Sequence, residues 1–589
     1  MSPSDTISLS LSPLLRERKA HWAAALTRLD ALSLVMAAAA AALFFLVLYP
    51  VFWLFYGSFA YGDQASPQTL LREFWQLPGL GRALLNTLDL LLGAVPLSFL
   101  FALPLVWIVT RTDTPLKWMI EIAAILPFIT PPLIGAVAWA LLAAPRTGLI
   151  NVLARELGAR TPVLNIYSMS GLIFVMALYM SPYVFLTVQA VMARMDASLE
   201  EASLISGASL SKTVWNVVVP LSLPAILSGG ILVMTRVLEE FAIPGVLGAP
   251  SGIYTITTYI YYQAISYVPP RYEVAALLAS LLMGSTAILL GLQARVLSGG
   301  RRFTTVSGKG HPARVLRLGR WRYLTLAYAL AYIGLTVLLP YLVLLYAAFI
   351  SKWGAPPVLS NLTLANFVAT FDPQLSARSG LLNSLILAVS GATLATLLTL
   401  IISYMITQGT SSTRTSWTRG ALDFVSAIPL AMPGPVIAVA MLWAYQREPF
   451  ALYGTLWILL VAYVTHYLPY GVRTITSSFR QISGDFERAA AVCGAGRIAA
   501  FRDILFPLVR PGILAGWMLM FISMIRELSS SIFLFVPGTE TTAVTMLEMW
   551  QEARFSGVAV LSLTLIMISV LVVMMVRRLA GAAHLSGTR

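Results

Sequence analysis

The stretch LEEASLISGASLSKTVWNVVVPLSLPAI, residues 199–226, returns as FERAAAVCGAGRIAAFRDILFPLVRPGI, residues 486–513. At a constant offset of 287, Glu487 falls on Glu200, Ala489 on Ala202, Gly494 on Gly207, Pro507 on Pro220 and Pro511 on Pro224, without a gap. Both copies are polar islands between long apolar runs, so their surroundings decide what they are.

The chain has 589 residues, of which 58% are hydrophobic and 11% charged. Soluble domains carry about 25% charged residues. In a bilayer core the backbone must satisfy its own polar groups, which favours spanning helices. The composition therefore predicts an all-α integral membrane protein. The net charge of +14 would suggest a nucleic-acid partner in a soluble chain. Here the enrichment of cytoplasmic loops in Lys and Arg accounts for it, and no nucleic acid is expected. The single cysteine, Cys493, excludes an internal disulfide and any cysteine-based metal cluster. His21, His311, His466 and His584 form no ligand-spaced motif. The first apolar run, from Ala31 to Phe59, begins late and is long enough to span, which argues against a cleavable signal.

A crossing needs about 20 mainly apolar residues. By that rule the expected spans are 31–57, 86–110, 118–142, 168–193, 223–243 and 274–293, then 323–350, 382–406, 420–445, 454–479, 511–535 and 557–577. That makes about 12 helices in two six-helix repeats. The fifth span is interrupted by Arg236, Glu239 and Glu240. With the N-terminus inside, most of the 39 Lys and Arg fall in cytoplasmic segments, which favours cytoplasmic N- and C-termini and puts both islands on the cytoplasmic side. The expected organisation is a cytoplasmic segment 1–30, a first transmembrane domain 31–293, a basic linker 294–322, a second domain 323–580 and a tail 581–589. The Gly/Ser-rich linker core SGGRRFTTVSGKGHP reads as flexible, and its charge either fixes topology or touches anionic lipid.

The halves match beyond the islands. NTLDLLLGAVPLSFLFALPLVWIVT from Asn86 corresponds to NSLILAVSGATLATLLTLIISYMIT from Asn383, and ILPFITPPLIGAVAWAL to IPLAMPGPVIAVAMLW. SPYVFLTVQAV corresponds to LPYGVRTITSS, with Pro182 facing Pro469 at the offset of 287. Each half carries six spans, so the repeat is parallel, and the substrate path is expected between the halves.

Within an island, Glu200 and Glu201 suit the first turn of a short helix, and Gly207 suits the left-handed position that closes it. Pro220 and Pro224 are expected to interrupt the helix that follows. The result is a compact helix–turn–helix bracket. An ordinary amphipathic loop would explain one copy; it does not explain two in equivalent places.

These residues resemble the EAA motif of ABC importer permeases: Glu200-Glu201-Ala202-Ser203 with Gly207, and Glu487-Arg488-Ala489-Ala490 with Gly494. The resemblance implies the type I importer permease fold. It also implies that the brackets insert into two copies of a cytoplasmic ATPase subunit, with Glu200, Glu201, Ala202, Gly207, Glu487, Ala489 and Gly494 at the coupling surfaces. Ser203 and Arg488 depart from the motif, which suggests that the two brackets meet their ATPases unequally. No GxxxxGK[ST] phosphate loop occurs, so ATP and Mg are expected on the partner and no cofactor on this chain. A substrate-binding protein is expected on the outer side and membrane lipid around the spans, in a bacterial inner membrane.

A fused permease of this length resembles the ferric-iron importer permeases, with thiamine permeases as relatives. Permeases of the same type for thiamine, polyamines or phosphonates are alternatives. A gradient-driven secondary transporter is a remoter one, because it has no reason to repeat the bracket. VLEEF (237–241) aligns with MIREL (524–528), which places Glu240 opposite Glu527 and Glu239 opposite Arg526. Intramembrane carboxylates of this kind either line a cation path, where hard oxygen suits Fe³⁺, or are neutralised in ion pairs by Arg236 and Arg526. The six tyrosines of 253–272 read as interfacial anchors or an entry site, and His466, opposite Tyr179, as a packing residue.

Overall fold

The computed structural model describes residues 31–59, 74–300, 315–354, 358–408, 413–483 and 485–586. The N-terminal segment 1–30 and residues 301–314 of the basic linker lie outside them. Among the described residues, extended backbone pairs only in two isolated bridges, Thr112 with Leu316 and Ile350 with Leu362; the remaining regular structure is helical.

The first half comprises α1 (Leu34–Phe59), α2 (Leu80–Arg111), α3 (Lys117–Ile129) and α4 (Pro132–Ala143), then α5 (Met169–Met192), the bracket helix α6 (Ala197–Ile205), α7 (Leu210–Glu239) and α8 (Tyr272–Ser298). The second half comprises α9 (Gly319–Phe349), α10 (Ser376–Thr407), α11 (Thr418–Ala431) and α12 (Gly434–Tyr445). It continues with α13 (Leu456–Arg480), the bracket helix α14 (Asp485–Val492), α15 (Ile498–Ile525) and α16 (Phe555–Val576).

Nine of these helices are long and apolar enough to cross a membrane, or up to eleven if each of two bent pairs is one crossing. The expected third and ninth spans are those pairs: α3 meets α4 at 101°, and α11 meets α12 at 109°. Pro131, Pro132 and Pro433 supply the bends, since a proline has no N–H to continue the ladder and holds its predecessor extended. The expected tenth span is a helix, but His466, Tyr467, Pro469, Tyr470 and Arg473 dilute its apolar run, and it is not among the nine.

Pro220 and Pro224 do not interrupt α7, contrary to the sequence expectation. A π-turn, Val214–Val218, immediately precedes Pro220, and another, Phe501–Leu505, precedes Pro507. Widening one turn absorbs the missing hydrogen bond, so the helix runs on. Instead α7 ends at Glu239 and α15 at Ile525, short of the expected 243 and 535.

Each half lends its leading helix to the other. From α1, the carbonyls of Phe45 and Leu46 accept from the Tyr445 hydroxyl at 2.5 Å and the Thr465 hydroxyl at 3.1 Å. From α9, the Tyr328 hydroxyl donates to the Leu100 carbonyl, and Tyr332 and Tyr341 bond Ser181 and Thr130, all at 2.7 Å. One continuous apolar core therefore includes both halves, from Leu54 to Leu565. At the α1–α12 contact a Cβ on Gly57 would sit 2.5 Å from the Trp443 indole. Gly57→Leu is expected to cost about 1–3 kcal/mol by overpacking, read as a lower aggregation temperature of the detergent-solubilised protein; an unchanged temperature would mean that α1 carries no packing load there.

Candidate coupling brackets and central cavity

The first bracket is built by local rules. Asp196 caps α6 by accepting the Ser198 N–H at 3.0 Å, and Gly207 closes it at φ +84°. The closing bonds run from Gly207 N to Leu204 O at 3.0 Å and from Ala208 N to Ser203 O at 3.1 Å. The second repeats the closure: Gly494 has φ +81°, and Ala495 N reaches Ala490 O at 2.9 Å. A Cβ at either glycine would meet nothing within 4 Å. Each glycine is thus required by backbone conformation and not by crowding.

Glu201, Ala202 and Gly207 are exposed, as are Ala489 and Gly494. Ile205 and Val492, related by the offset of 287, are 87% and 89% exposed, and Leu199 and Phe486, a second pair at that offset, are 36% and 49% exposed. Apolar side chains presented so fully at one register in both halves form two equivalent, unpartnered surfaces.

Glu200 is turned the other way. It is buried against Arg111, the last residue of α2, whose Nε and Nη2 both lie 2.9 Å from Glu200 Oε1. Arg111 is fully buried. Glu200 therefore anchors its bracket to the membrane domain, while Glu201 faces outward. The Glu487 side chain lies outside the described residues. Arg111 escaped the sequence reading because it counted only as one more cytoplasmic cation. Extending the alignment of the Asn86 and Asn383 stretches would have singled it out, since Gln408 stands at the matching position.

A cavity of about 140 Å³ lies between the halves. The first half contributes Tyr179, Tyr183, Arg236, Glu239 and Glu240, and the second contributes His466, Tyr467, Tyr470, Arg526 and Glu527. All four intramembrane residues singled out from sequence, Glu240, Glu527, Arg236 and Arg526, therefore meet here. They do so because α7 and α15 both break at this depth. Glu240 Oε1 accepts the Ala242 N–H at 2.9 Å, and Glu527 Oε1 accepts the Ser530 N–H at 2.8 Å and its hydroxyl at 3.0 Å. The other Glu527 oxygen takes the Tyr467 hydroxyl. Each carboxylate thus satisfies backbone donors at the start of the segment that follows the break, which backbone within a membrane requires.

The expected pairing of Arg236 and Arg526 with these two glutamates is not what forms. Arg236 Nη1 donates to Glu239 at 2.8 Å, and Nη2 to the Tyr470 hydroxyl of the other half. Its guanidinium stands 5.7 Å from the Tyr183 ring centroid and 5.8 Å from that of Tyr470. Those tyrosines are related by the same offset, so one cation is held between two equivalent aromatic faces. Arg526 Nη1 donates across the halves to the Phe128 carbonyl at 2.6 Å, at the α3–α4 bend. In both cases a nearer acceptor wins: Glu239 is three residues along the same helix from Arg236, and the bend frees carbonyls that need a donor. His466 stacks on Tyr467 with ring centroids 4.6 Å apart. Among the described residues no three His, Cys, Asp or Glu are placed to hold a metal ion. None of the six tyrosines of 253–272 lines the cavity; beyond Glu240, Tyr261 packs against Phe241 and Phe533.

Residues 94–352 and 405–582 match the family described as binding-protein-dependent transport system inner membrane component. The chain belongs to that family. It is a multi-pass membrane permease subunit. The ferric transport system permease protein FbpB of Actinobacillus pleuropneumoniae is 26% identical over 520 residues, covering 88% of this chain and 74% of the relative. The putative ferric transport system permease protein FbpB 1 of Haemophilus influenzae is 26% identical over 499 residues, covering 84% and 77%. A putative 2-aminoethylphosphonate transport system permease protein, PhnV of Salmonella paratyphi A, is 26% identical over 243 residues, covering 41% of this permease and 88% of its own length.

Proposed function

We propose that this permease carries ferric iron across a bacterial inner membrane, received from a binding protein on the outer side and driven by two ATPase subunits seated on the two brackets. The observation that carries the reading is the pair of glycine-closed brackets, each presenting an exposed apolar residue at the same register, Ile205 and Val492. A rotor with two equivalent grips suits a motor with two equivalent subunits. ATP hydrolysis belongs to those subunits, and both termini belong on their side of the membrane. The boundaries 31–293 and 323–580 define the two domains, joined by the linker.

Iron is favoured by the names of two relatives that match most of this chain, and the cavity offers a carboxylate-lined path and not, among the described residues, a preformed metal site. Three carboxylates, Glu239, Glu240 and Glu527, face two guanidiniums, and both guanidiniums already have acceptors. A hard cation gains from such oxygen donors. A phosphonate is the second reading, because Arg236 and Arg526 are a pair of the kind that binds oxyanions and one relative carries that name.

The deciding experiment is reconstitution. Vesicles holding the permease with its ATPase and binding protein are expected to accumulate radiolabelled ferric iron only when ATP is present, and excess phosphonate should not compete. A purified permease that brings down no ATPase, or uptake that persists without ATP, would defeat the importer reading.

A further inference from the structure

The chain joining the halves re-enters the described structure beside the corner that ends α2. Leu316 bridges Thr112 in parallel: its N–H donates to the Arg111 carbonyl at 2.8 Å, and its carbonyl accepts from Asp113 N at 3.1 Å. The Asp113 carboxylate accepts the Leu318 N–H at 2.9 Å, and the Thr114 hydroxyl meets that of Thr325, in α9, at 2.7 Å. Arg111, Thr112 and Thr114 are all buried. The residue whose guanidinium grips the first bracket thus offers its carbonyl to the start of the second half.

We propose that Arg111 is a positioning residue at a three-way junction that makes the first bracket, α2 and the leading helix of the second half move as one body. The proposal rests on the coupling role assigned to the brackets above. A push on α6 passes through Glu200 to Arg111, and from there through Leu316 and Thr325 into α9. That helix runs along the first half to Tyr341, whose hydroxyl bonds Thr130, a residue that lines the central cavity. Each link is a specific contact and not mere proximity, and the ion pair is the stiffest, because neither partner tolerates being left buried and unpaired. The second half has Gln408 where the first has Arg111, so no guanidinium from that position can grip the second bracket. The first bracket's junction therefore reaches both halves.

The test uses the intact permease in vesicles with its ATPase subunits and binding protein, and reads radiolabelled ferric iron taken up per ATP hydrolysed. Arg111→Gln and Glu200→Gln break the grip. Leu316→Pro removes the N–H given to the Arg111 carbonyl and leaves the ion pair alone. Each is expected to lower the ratio roughly fivefold or more, the scale of an ordinary coupling free energy. ATPase subunits should still co-purify in normal amount. The double variant Arg111→Gln/Leu316→Pro should be no worse than the poorer single, because residues of one unit are not additive. The exchange Arg111→Glu/Glu200→Arg should recover part of the loss. If Leu316→Pro does not reach the membrane, Asp113→Ala, which removes the acceptor for Leu318, is read in its place. A normal ratio in the linker variant, or multiplying effects in the double, would overturn the junction. Absence of ATP-dependent uptake in the unmodified permease would instead overturn the importer reading on which the junction rests.

Discussion

Gly207→Val and Gly494→Val are each expected to leave the permease in the membrane and abolish most ATP-driven uptake. Both glycines hold a left-handed backbone, at φ +84° and +81°. A residue with a Cβ costs about 1–2 kcal/mol there, and a β-branched one sits at the upper end. Nothing lies within 4 Å of the new Cβ, so the cost is not a clash that the membrane domain must absorb. It is relieved locally, by opening the turn that sets the exposed face of α6 or α14. Since 1.4 kcal/mol is about a tenfold change in an equilibrium, uptake per ATP should fall roughly tenfold with membrane abundance intact. Gly→Ala at the same positions should show a smaller fall in the same direction. Uptake and ATP hydrolysis measured side by side in vesicles check this. Wild-type coupling in both valine variants would remove the assignment of the brackets.

The second large effect concerns the carboxylates at the helix breaks. Glu240 and Glu527 line the cavity and also accept from backbone N–H groups of Ala242 and Ser530, so charge and capping must be separated. Glutamine keeps an acceptor oxygen for the cap and removes the charge; alanine removes both. If the charge meets a cation in transit, Glu240→Gln and Glu527→Gln should each lower uptake about tenfold or more at normal abundance, as expected for expensive intramembrane charges kept for function. The alanine variants should be worse, and less abundant, by the loss of a cap worth about 1 kcal/mol. Full uptake in the glutamine variants, with loss only in the alanine ones, would make both residues structural caps.

The brackets were legible in the chain because helix closure by glycine is local chemistry: Gly207 and Gly494 announce their conformation without help from distant residues. The apolar runs were legible for the same kind of reason, since burying backbone in lipid constrains composition over some twenty residues. Pro131 and Pro433 stand at the bends, but the expected spans rest on apolar length alone, and a proline does not by itself fix whether a helix breaks. Pro220 shows this, with a π-turn before it and an unbroken helix after it.

Arg236 and Arg526 were recognised as inhabitants of the membrane interior, yet their partners were not. One alternative has Arg236 and Arg526 neutralising Glu240 and Glu527, yet Arg236 pairs with Glu239 and Tyr470, and Arg526 with a carbonyl 398 residues away. Pairing energy depends on distance and burial, and neither is written along the chain.

The sequence alone determined that this is a duplicated bundle of membrane helices, with one glycine-closed bracket per half and two carboxylates at equivalent depth. Periodicity, composition and backbone conformation are local properties, and each residue run carries them by itself. Only the tertiary structure decided that Glu200 faces inward to Arg111, that each leading helix crosses to the other half, and that both breaks open onto one cavity. Those facts depend on which surfaces meet, and a buried charge accepts whichever partner the packing brings within about 3 Å.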